Sequence, residues 1–236
     1  MKQRSKRYQE CLKQFDSTKS YLLPEAVKIL KKFTSAKFDE SVELNFQLGV
    51  RPDQPNEQVR GATGLPHGSG KKVRVLCFAK GEAQRAAEEA GADYVGTDEY
   101  VKKIESGWLE FDAVVAHPDM MREISKLGKV LGPRGLMPTP KTGTVTPDVK
   151  KAIKEIKAGR VEFKSDKTGG LHVLFGKRSF SEDALLTNAK AVIQAVSDAK
   201  PSAAKGDFVR RVSIAGSQSP GIKLRGVIVS VSEEKE

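Results

Sequence analysis

The stretch VRVLCFAKGEAQRAAEEAGADYVG, residues 73–96, predicts the fold of the middle of the chain because it contains a complete strand–helix–strand unit. The apolar run VRVLCFA is typical of a buried strand, and EAQRAAEEAG has the pattern of a helix that ends at Gly91. The run ADYVG then predicts a second strand. Strands that alternate with helices usually pair in parallel, so we expect a parallel sheet here.

The residues that follow repeat this pattern. The segments DEYVKKIESG and DMMREISKLG are predicted helices with Asp98 and Asp119 as their N-caps, and FDAVVAHP is a predicted strand between them. Together with residues 73–96, they predict a small α/β, Rossmann-like domain over residues 71–157.

The two ends of the chain have a different pattern. The N-terminal part predicts a helix at the start, a second helix in PEAVKILKKF and the strand ESVELNFQLGV. The C-terminal part predicts the strands RVEFKSD, GLHVLFG, FVRRVSIAG and KLRGVIVSVS, and a long helix in SEDALLTNAKAVIQAVSDA.

Alternating apolar residues in Val161–Phe163 and Val227–Val231 indicate a sheet with one solvent-facing side, and SDKTGG predicts the turn of a hairpin. We therefore expect an α+β domain with an antiparallel sheet and helices, built from residues 1–70 and 158–236. The α/β domain would be inserted into this discontinuous domain, which gives two domains in all.

Charge is unevenly distributed along the chain, which has 41 Lys and Arg, 30 Asp and Glu, and a net charge of +11. The net charge is +6 in residues 1–72, −5 in residues 73–123 and +10 in residues 124–236. A basic surface attracts polyanions, of which nucleic acid is the commonest. The composition therefore favours a nucleic-acid ligand for the two ends, although a basic protein without a specific anionic partner remains the alternative.

Two stretches rich in Gly and Pro lie at the charge boundaries: RPDQPNEQVRGATGLPHGSGKK, residues 51–72, and KLGKVLGPRGLMPTPKTGTVTP, residues 126–147. Both are predicted to be crossings between the domains. In the second stretch, two prolines soon follow GKVLGPRG, so no helix is expected to start there. This stretch has two interpretations: a hinge, or a secondary RNA contact through Lys129, Arg134 and Lys141.

Enzymatic functions have little support in the sequence. The turn AKGEAQRA has one glycine instead of G-x-G-x-x-G, and GLPHGSGKK lacks the spacing and the following helix of a phosphate-binding loop. The three histidines, His67, His117 and His172, are isolated and show no metal-ligand spacing. We therefore predict no catalytic residue, no metal and no cofactor.

The sequence also indicates a cytoplasmic location. No apolar run approaches the roughly 18 residues that a membrane span needs, and the basic start lacks the apolar core of a signal peptide. Cys11 and Cys77 are far apart and form no CxxC motif, which fits a reducing compartment.

Eight segments match the pattern of one known family. They are KRY near the start, AKFDESVEL, QVRGATGLPHGSGK, EEAGADYVG, GWLEFDAVVAHPD, KLGKVLGPRGLMPTPKTGTV, EIKAGRVEFKSDKTG and AKPSAAKG. With these segments, the chain closely resembles the ribosomal protein L1 family in its bacterial form, over nearly all of its 236 residues. The block LGPRGLMPTPK is highly specific to that family. The family fold, in which a second domain is inserted into the first, agrees with the pattern described above.

The resemblance implies a function in translation. Proteins of this kind are structural constituents of the large ribosomal subunit, and they bind large-subunit rRNA to form the mobile stalk near the tRNA exit site. The stalk assists the release of deacylated tRNA, and the bacterial proteins also repress their own operon by binding its mRNA leader. The alternative is a free mRNA-binding protein that acts primarily as a translational repressor. Neither function involves a membrane or a small-molecule substrate.

The resemblance also implies which residues contact RNA, in three segments that are expected to meet on the discontinuous domain. Lys37 and Phe38 would place a charge beside phosphate and an aromatic ring against ribose. Asp166, Lys167 and Thr168 lie in SDKTGG, where lysine suits phosphate and threonine suits 2′-hydroxyl groups. From the residues alone, Phe38 is more typical of a core position and Lys167 of a solvated turn.

The third implied segment departs from the family pattern. Ser217, Gln218, Ser219 and Pro220 stand where the family usually has Thr-Met-Gly-Pro. Ser219 adds a β-carbon in place of a glycine, so weaker RNA binding is expected if the backbone approaches RNA there. The neighbouring Arg210 and Arg211 are adjacent on a predicted strand, so they are expected to point to opposite faces of the sheet.

Overall fold

The computed structural model describes residues 4–51, 54–202, 204 and 206–226, which fold into a mixed α/β structure. The chain divides into two compact units. The first unit contains Met1–Gly70 and Val161–Glu236, and the second contains Lys71–Arg160. The predicted alternating strand Val227–Val231 lies outside the described residues.

The helices and strands follow in chain order. The helices are α1 (Lys6–Lys13), α2 (Leu23–Lys32), α3 (Glu82–Glu89), α4 (Asp98–Glu105), α5 (Met121–Ile124), α6 (Gly128–Leu131), α7 (Val149–Ala158) and α8 (Glu182–Asp198). The strands are β1 (Ser41–Leu48), β2 (Arg60–Gly64), β3 (Val75–Phe78), β4 (Tyr94–Gly96), β5 (Ala113–Ala116), β6 (Arg160–Lys164), β7 (Gly170–Lys177), β8 (Val209–Gly216) and β9 (Ile222–Lys223). Within the described part of the chain, no helix is both long and apolar enough to cross a membrane.

The first unit contains a four-stranded antiparallel sheet with the strand order β7-β1-β8-β9. In the central strand β1, Val42, Leu44 and Phe46 are buried, whereas the residues between them are partly exposed. This alternation is what a sheet with one solvated face requires. Helices α2 and α8 pack against the sheet and contribute apolar side chains to its core. The predicted antiparallel sheet with helices is therefore confirmed for the described residues.

The chain passes from the first unit to the second between Gly70 and Lys71, within the predicted crossing at residues 51–72. Two details of the prediction for this unit are wrong. Residues 60–64 of the expected crossing form β2, which pairs with β6 in a separate two-stranded sheet. Gly61 permits close packing there, because a β-carbon would lie 2.7 Å from Cζ of Phe163. The strands on either side of SDKTGG do not form a hairpin ladder, since β6 pairs with β2 while β7 pairs with β1.

A fully buried asparagine on α8 connects three segments of the first unit. Oδ1 of Asn188 accepts a hydrogen bond from the backbone N of His67 at 3.0 Å. Its Nδ2 donates to the carbonyls of Gly68 at 3.0 Å and of Phe175 at 2.9 Å. One side chain thus satisfies polar backbone groups of β7 and of the stretch that follows β2.

The second unit contains a three-stranded parallel sheet with the order β4-β3-β5. Both faces of β3 are buried: Val75 and Cys77 belong to one apolar cluster, and Leu76 and Phe78 belong to another. Helices α3 and α7 contribute to the first cluster, whereas α4, α5 and α6 contribute to the second. A parallel sheet covered on both sides explains why VRVLCFA is almost continuously apolar.

The helix ends in this unit differ from the predicted ones. The N-cap of α4 is Thr97, and Asp98 is the first helical residue. The predicted helix DMMREISKLG begins with a 3₁₀ turn at Pro118–Met120 and is interrupted by a second one at Ser125–Leu127. A short helix, α6, then starts at Gly128, where none was expected, and it ends before the following glycine and proline.

The second predicted crossing is also wrong. Residues 126–147 lie entirely within the second unit, and the chain returns to the first unit after Arg160. Val145 forms a parallel bridge to Ala116 of β5, and the buried hydroxyls of Thr142 and Thr144 are 3.1 Å apart. The glycines and prolines therefore shape an ordered loop. Because the second unit extends to Arg160, it contains 17 Lys and Arg and 13 Asp and Glu, and it is not acidic as a whole.

Replacing Asn188 with alanine should lower the free energy of unfolding of the first unit by about 3 kcal/mol, because buried backbone groups lose their partners. Urea denaturation followed by far-UV circular dichroism measures this loss. Gln194→Ala is the matched control on the exposed side of the same helix, and it should change the free energy of unfolding by less than about 0.5 kcal/mol. Equal effects of the two substitutions would contradict the assigned role of Asn188.

Candidate nucleic-acid interface

The turn formed by residues 217–220 is fixed to the start of β1. The backbone N of Ser217 donates to the carbonyl of Ser41 at 3.0 Å, and the N of Ser41 donates to Oγ of Ser217 at 3.1 Å. These bonds continue the pairing of β1 with β8 beyond Gly216. The turn therefore lies next to the segment that enters β1, which contains Lys37 and Phe38.

Lys37 and Phe38 are both exposed in that entering segment. The side chain of Phe38 is 51% exposed, so its prediction as a core residue is wrong. The loop is anchored immediately after Phe38, because Asp39 accepts hydrogen bonds from the N of Ser179 at 3.1 Å and from its Oγ at 2.8 Å. An exposed aromatic ring on an anchored loop is available to a ligand without refolding of the core.

The four residues of the turn differ in their exposure. Ser217 and Gln218 are exposed, Ser219 is half-buried and Pro220 is buried. Oγ of Ser219 accepts a hydrogen bond from the backbone N of Gly216 at 2.7 Å. The hydroxyl group that this chain adds at position 219 therefore closes the turn from within.

Asp166, Lys167 and Thr168 form a second exposed turn, which Asp166 organises. Its Oδ1 accepts hydrogen bonds from N and Oγ1 of Thr168, each at 2.8 Å, and from N of Gly170 at 2.7 Å. The hydrogen bonds from Thr168 are the main reason why the pKa of Asp166 lies below its ordinary value. Lys167 stands at the tip of this turn, whose backbone shape depends on the ionised Asp166.

The structure does not bring the three implied RNA-binding segments into one patch. Ser41, beside the 217–220 turn, pairs with Lys177, whereas Gln47 at the other end of β1 pairs with Gly170. The Asp166 turn is held there by Nε2 of Gln47, which donates to the carbonyl of Thr168 at 3.0 Å. At about 3.3 Å per residue, the two exposed turns are separated by roughly 20 Å along β1.

The solvent-facing side of the sheet lies between these turns, and its polar residues were not assigned to the site from the sequence. Nδ1 of His172 and Oδ1 of Asn45 are 2.7 Å apart on neighbouring strands. Arg210 and Arg211 are both exposed, and their orientation to opposite faces stays a prediction. The pairing of β1 with β8 shifts register between Gln47 and Leu48, and such a bulge breaks the strict alternation of faces. In the sequence, the signal of this bulge is the spacing of Val209 and Val212 in VRRV, because buried residues three apart break the alternation of a regular strand.

The secondary basic segment belongs to the second unit. Lys129, Arg134 and Lys141 are exposed. Among the residues that the structure describes, none of the three forms an ion pair. The loop that carries Lys141 is ordered by the neighbouring threonines: the N of Thr139 donates to Oγ1 of Thr144 at 2.9 Å. The structure therefore leaves these three cations available to an anionic ligand.

A crevice of about 560 Å³ lies at the carboxyl ends of β3 and β5 in the second unit. This is where α/β folds often bind nucleotides. However, its cations already have carboxylate partners: Lys80 pairs with Glu123 at 3.1 Å, and Lys150 pairs with Glu89 at 2.8 Å. No cluster of metal ligands occurs among the described residues. The geometry therefore adds no support for nucleotide or metal chemistry.

Thr168→Val should raise the pKa of Asp166 towards the ordinary aspartate value, because the ionised carboxylate loses the hydroxyl donor that stabilises it. The carboxyl carbon signal, followed by NMR during an acid titration, measures this shift. Asp16 is an internal control, since it accepts hydrogen bonds from N and Oγ1 of Thr18 in the same manner. Its pKa is also lowered, chiefly by Thr18, and should not change. An unchanged pKa of Asp166 would contradict the assigned geometry.

Comparisons with known proteins agree over most of the chain. The family model described as the ribosomal protein L1p/L10e family matches residues 30–220. A curated relative, the large ribosomal subunit protein uL1 of Kosmotoga olearia, is 53% identical over 224 residues. That alignment covers 95% of this chain and 97% of the relative. The chain therefore belongs to the ribosomal protein L1p/L10e family.

Proposed function

We propose that this protein is a structural constituent of the large ribosomal subunit and that its first unit binds large-subunit rRNA. Family membership supports a structural role in the ribosome rather than an enzymatic one. The observation that carries the RNA-binding proposal is Phe38, an aromatic side chain that is 51% exposed on an anchored loop. It lies beside the exposed cation Lys37 and near the hydroxyl group of Ser217.

The residue types suit recognition of a folded RNA. An exposed ring can stack on a base or a ribose, a lysine can pair with phosphate, and a serine hydroxyl can bind a 2′-hydroxyl group. Lys167 and Thr168 would make the same kinds of contact at the other end of β1, about 20 Å away. Two contact points at this separation suit an extended RNA structure rather than a single nucleotide. Asp166 would act by keeping its turn in shape.

We also infer that the two units are separate domains: residues 1–70 with 158–236, and an inserted Rossmann-like domain at residues 71–157. The contact-based boundary, after Arg160, differs from this by a few residues. The second domain would provide a secondary RNA contact through its exposed residues Lys129, Arg134 and Lys141. Its parallel sheet would serve to position this basic surface.

In the ribosome, the protein would form part of the mobile stalk near the tRNA exit site and assist the release of deacylated tRNA. It would then be ribosome-associated in the cytoplasm. The net charge of +11 supports contact with several RNA partners, including tRNA.

A second activity would be repression of its own operon through the mRNA leader. The departure at Gln218 and Ser219 bears on this activity: if the β-carbon of Ser219 weakens the RNA site, the tighter rRNA target is favoured over the mRNA. A primarily regulatory protein would instead bind the leader at least as tightly as the rRNA fragment.

Phe38→Ala should raise the Kd for a large-subunit rRNA stalk fragment by about tenfold, because stacking of one ring contributes roughly 1–3 kcal/mol. The free energy of unfolding should change little, since the ring is half exposed. Filter binding across a salt series measures the Kd, with an unrelated structured RNA for comparison. Leu22→Ala is the matched control, because Leu22 is also a large apolar residue, 44% exposed, in the same unit.

The same titration tests the proposed function itself. Specific recognition predicts that the wild-type protein prefers the stalk fragment and keeps this preference at high salt. Binding through phosphates alone weakens steeply with salt and hardly distinguishes the two RNAs. Equal, salt-sensitive binding of both RNAs would overturn the proposal.

A further inference from the structure

Arg7 on α1 joins two segments of the candidate RNA-binding surface that are distant in sequence. Its Nη1 donates to Oε1 of Glu40 at 2.8 Å. Its Nη2 donates to the backbone carbonyl of Gln218 at 3.1 Å and to Oε1 of the same residue at 2.9 Å. One planar guanidinium group therefore connects the segment after Phe38 to the 217–220 turn.

The carboxylate that receives Arg7 is itself firmly placed. Glu40 is only 1% exposed, and its Oε1 also accepts a hydrogen bond from the backbone N of Ala36 at 2.8 Å. The carbonyl of Glu40 accepts from the N of Arg178 at 2.8 Å. A β-carbon on Gly216 would lie 2.7 Å from Oε2 of Glu40, so the carboxylate fits closely against the base of the turn. Glu40 cannot shift easily, so its bond to Arg7 holds the guanidinium group in place. The bonds from Arg7 to Gln218 then hold the 217–220 turn.

The two residues at which this turn departs from the family pattern both bond within the protein. Gln218 is bound by Arg7, and Ser219 bonds the N of Gly216. Neither the methionine nor the glycine that the resemblance leads one to expect could make these side-chain bonds. The polar residues thus add internal constraints on the turn where the RNA is expected to dock.

We propose that Arg7 is a positioning residue, which sets the spacing between the Lys37–Phe38 loop and the 217–220 turn. Gln218 serves as the partner of Arg7 and does not contact RNA. The proposal rests on the proposed RNA-binding function of the first unit. A turn that is held in place before binding loses less conformational freedom when RNA docks, so the Arg7 fork increases affinity without touching the RNA.

Arg7→Lys tests this proposal because it keeps the positive charge while removing the planar fork. The lysine can still pair with buried Glu40, but one ammonium group cannot reproduce the geometry of the two Nη atoms. We expect the Kd for the rRNA stalk fragment to rise about tenfold, the effect of losing one charge-assisted hydrogen bond. The slope of log Kd against log salt should stay unchanged, since no phosphate contact is lost.

Arg4→Lys is the matched control. Arg4 lies on the same N-terminal segment, and its guanidinium group stands 5.0 Å from the ring centre of Tyr8. It should leave the Kd unchanged within about twofold.

A double-mutant cycle separates positioning from direct contact. Gln218→Leu should weaken RNA binding in the wild-type background but by less than about twofold in the Arg7→Lys background, because its partner is already lost. If Gln218 contacts RNA directly, the substitution will weaken binding equally in both backgrounds. That result, or an unchanged Kd for Arg7→Lys, would overturn the proposal.

Amide hydrogen exchange of the free protein provides a test that does not depend on RNA. The backbone N of Ser219 donates to the carbonyl of Gly216 at 3.2 Å, and that of Ser217 donates to Ser41. Arg7→Lys should speed the exchange of both amides severalfold, whereas Arg4→Lys should not. Failure of the wild-type protein to prefer the stalk fragment would refute the proposed function, while unchanged exchange rates would refute the positioning role of Arg7.

Discussion

The pairing of β1 with β7 and β8 is the constraint on which the first unit depends. β1 lies before residue 50, and both partner strands lie after residue 169, so the sheet forms only when the two ends of the chain meet. Contacts between distant residues carry a high entropic cost of loop closure, which the buried side chains of Val42, Leu44 and Phe46 help to offset. Such topology also favours slow folding. The compact second unit lies between these pairing partners in sequence.

The same strand determines the layout of the candidate RNA-binding surface. One end of β1 holds the 217–220 turn through Ser41, and the other end holds the Asp166 turn through Gln47. Each turn is then shaped by a carboxyl group, from Glu40 or Asp166, that is hydrogen-bonded within the protein. Acidic residues thus organise the two turns of a basic surface, whereas Lys37, Phe38 and Lys167 beside them stay exposed.

Local patterns predicted the elements whose environment is uniform along the chain. The apolar run of β3 and the alternation in β1 were sufficient, because burial of both faces or of one face leaves a regular signature. In contrast, β2 has the sequence RGATG, and its pairing with β6 depends on contacts between distant residues, including Gly61 against Phe163.

The exposure of Arg210 and Arg211 depends on a register shift that no single strand encodes. The loop at residues 126–147 resembles a crossing in sequence, because glycine and proline occur both in linkers and in ordered loops. The site residues came from the family resemblance; their separation along β1 and the Arg7 fork required the structure.

Hydrogen–deuterium exchange of the full chain, with and without the large-subunit rRNA stalk fragment, most directly tests whether the first unit carries the RNA-binding surface. We expect bound RNA to slow exchange in residues 36–41, 166–170 and 216–220, and to leave residues 82–105 unchanged. Slower exchange confined to residues 126–141, or no change in the first unit at saturating RNA, would contradict the account.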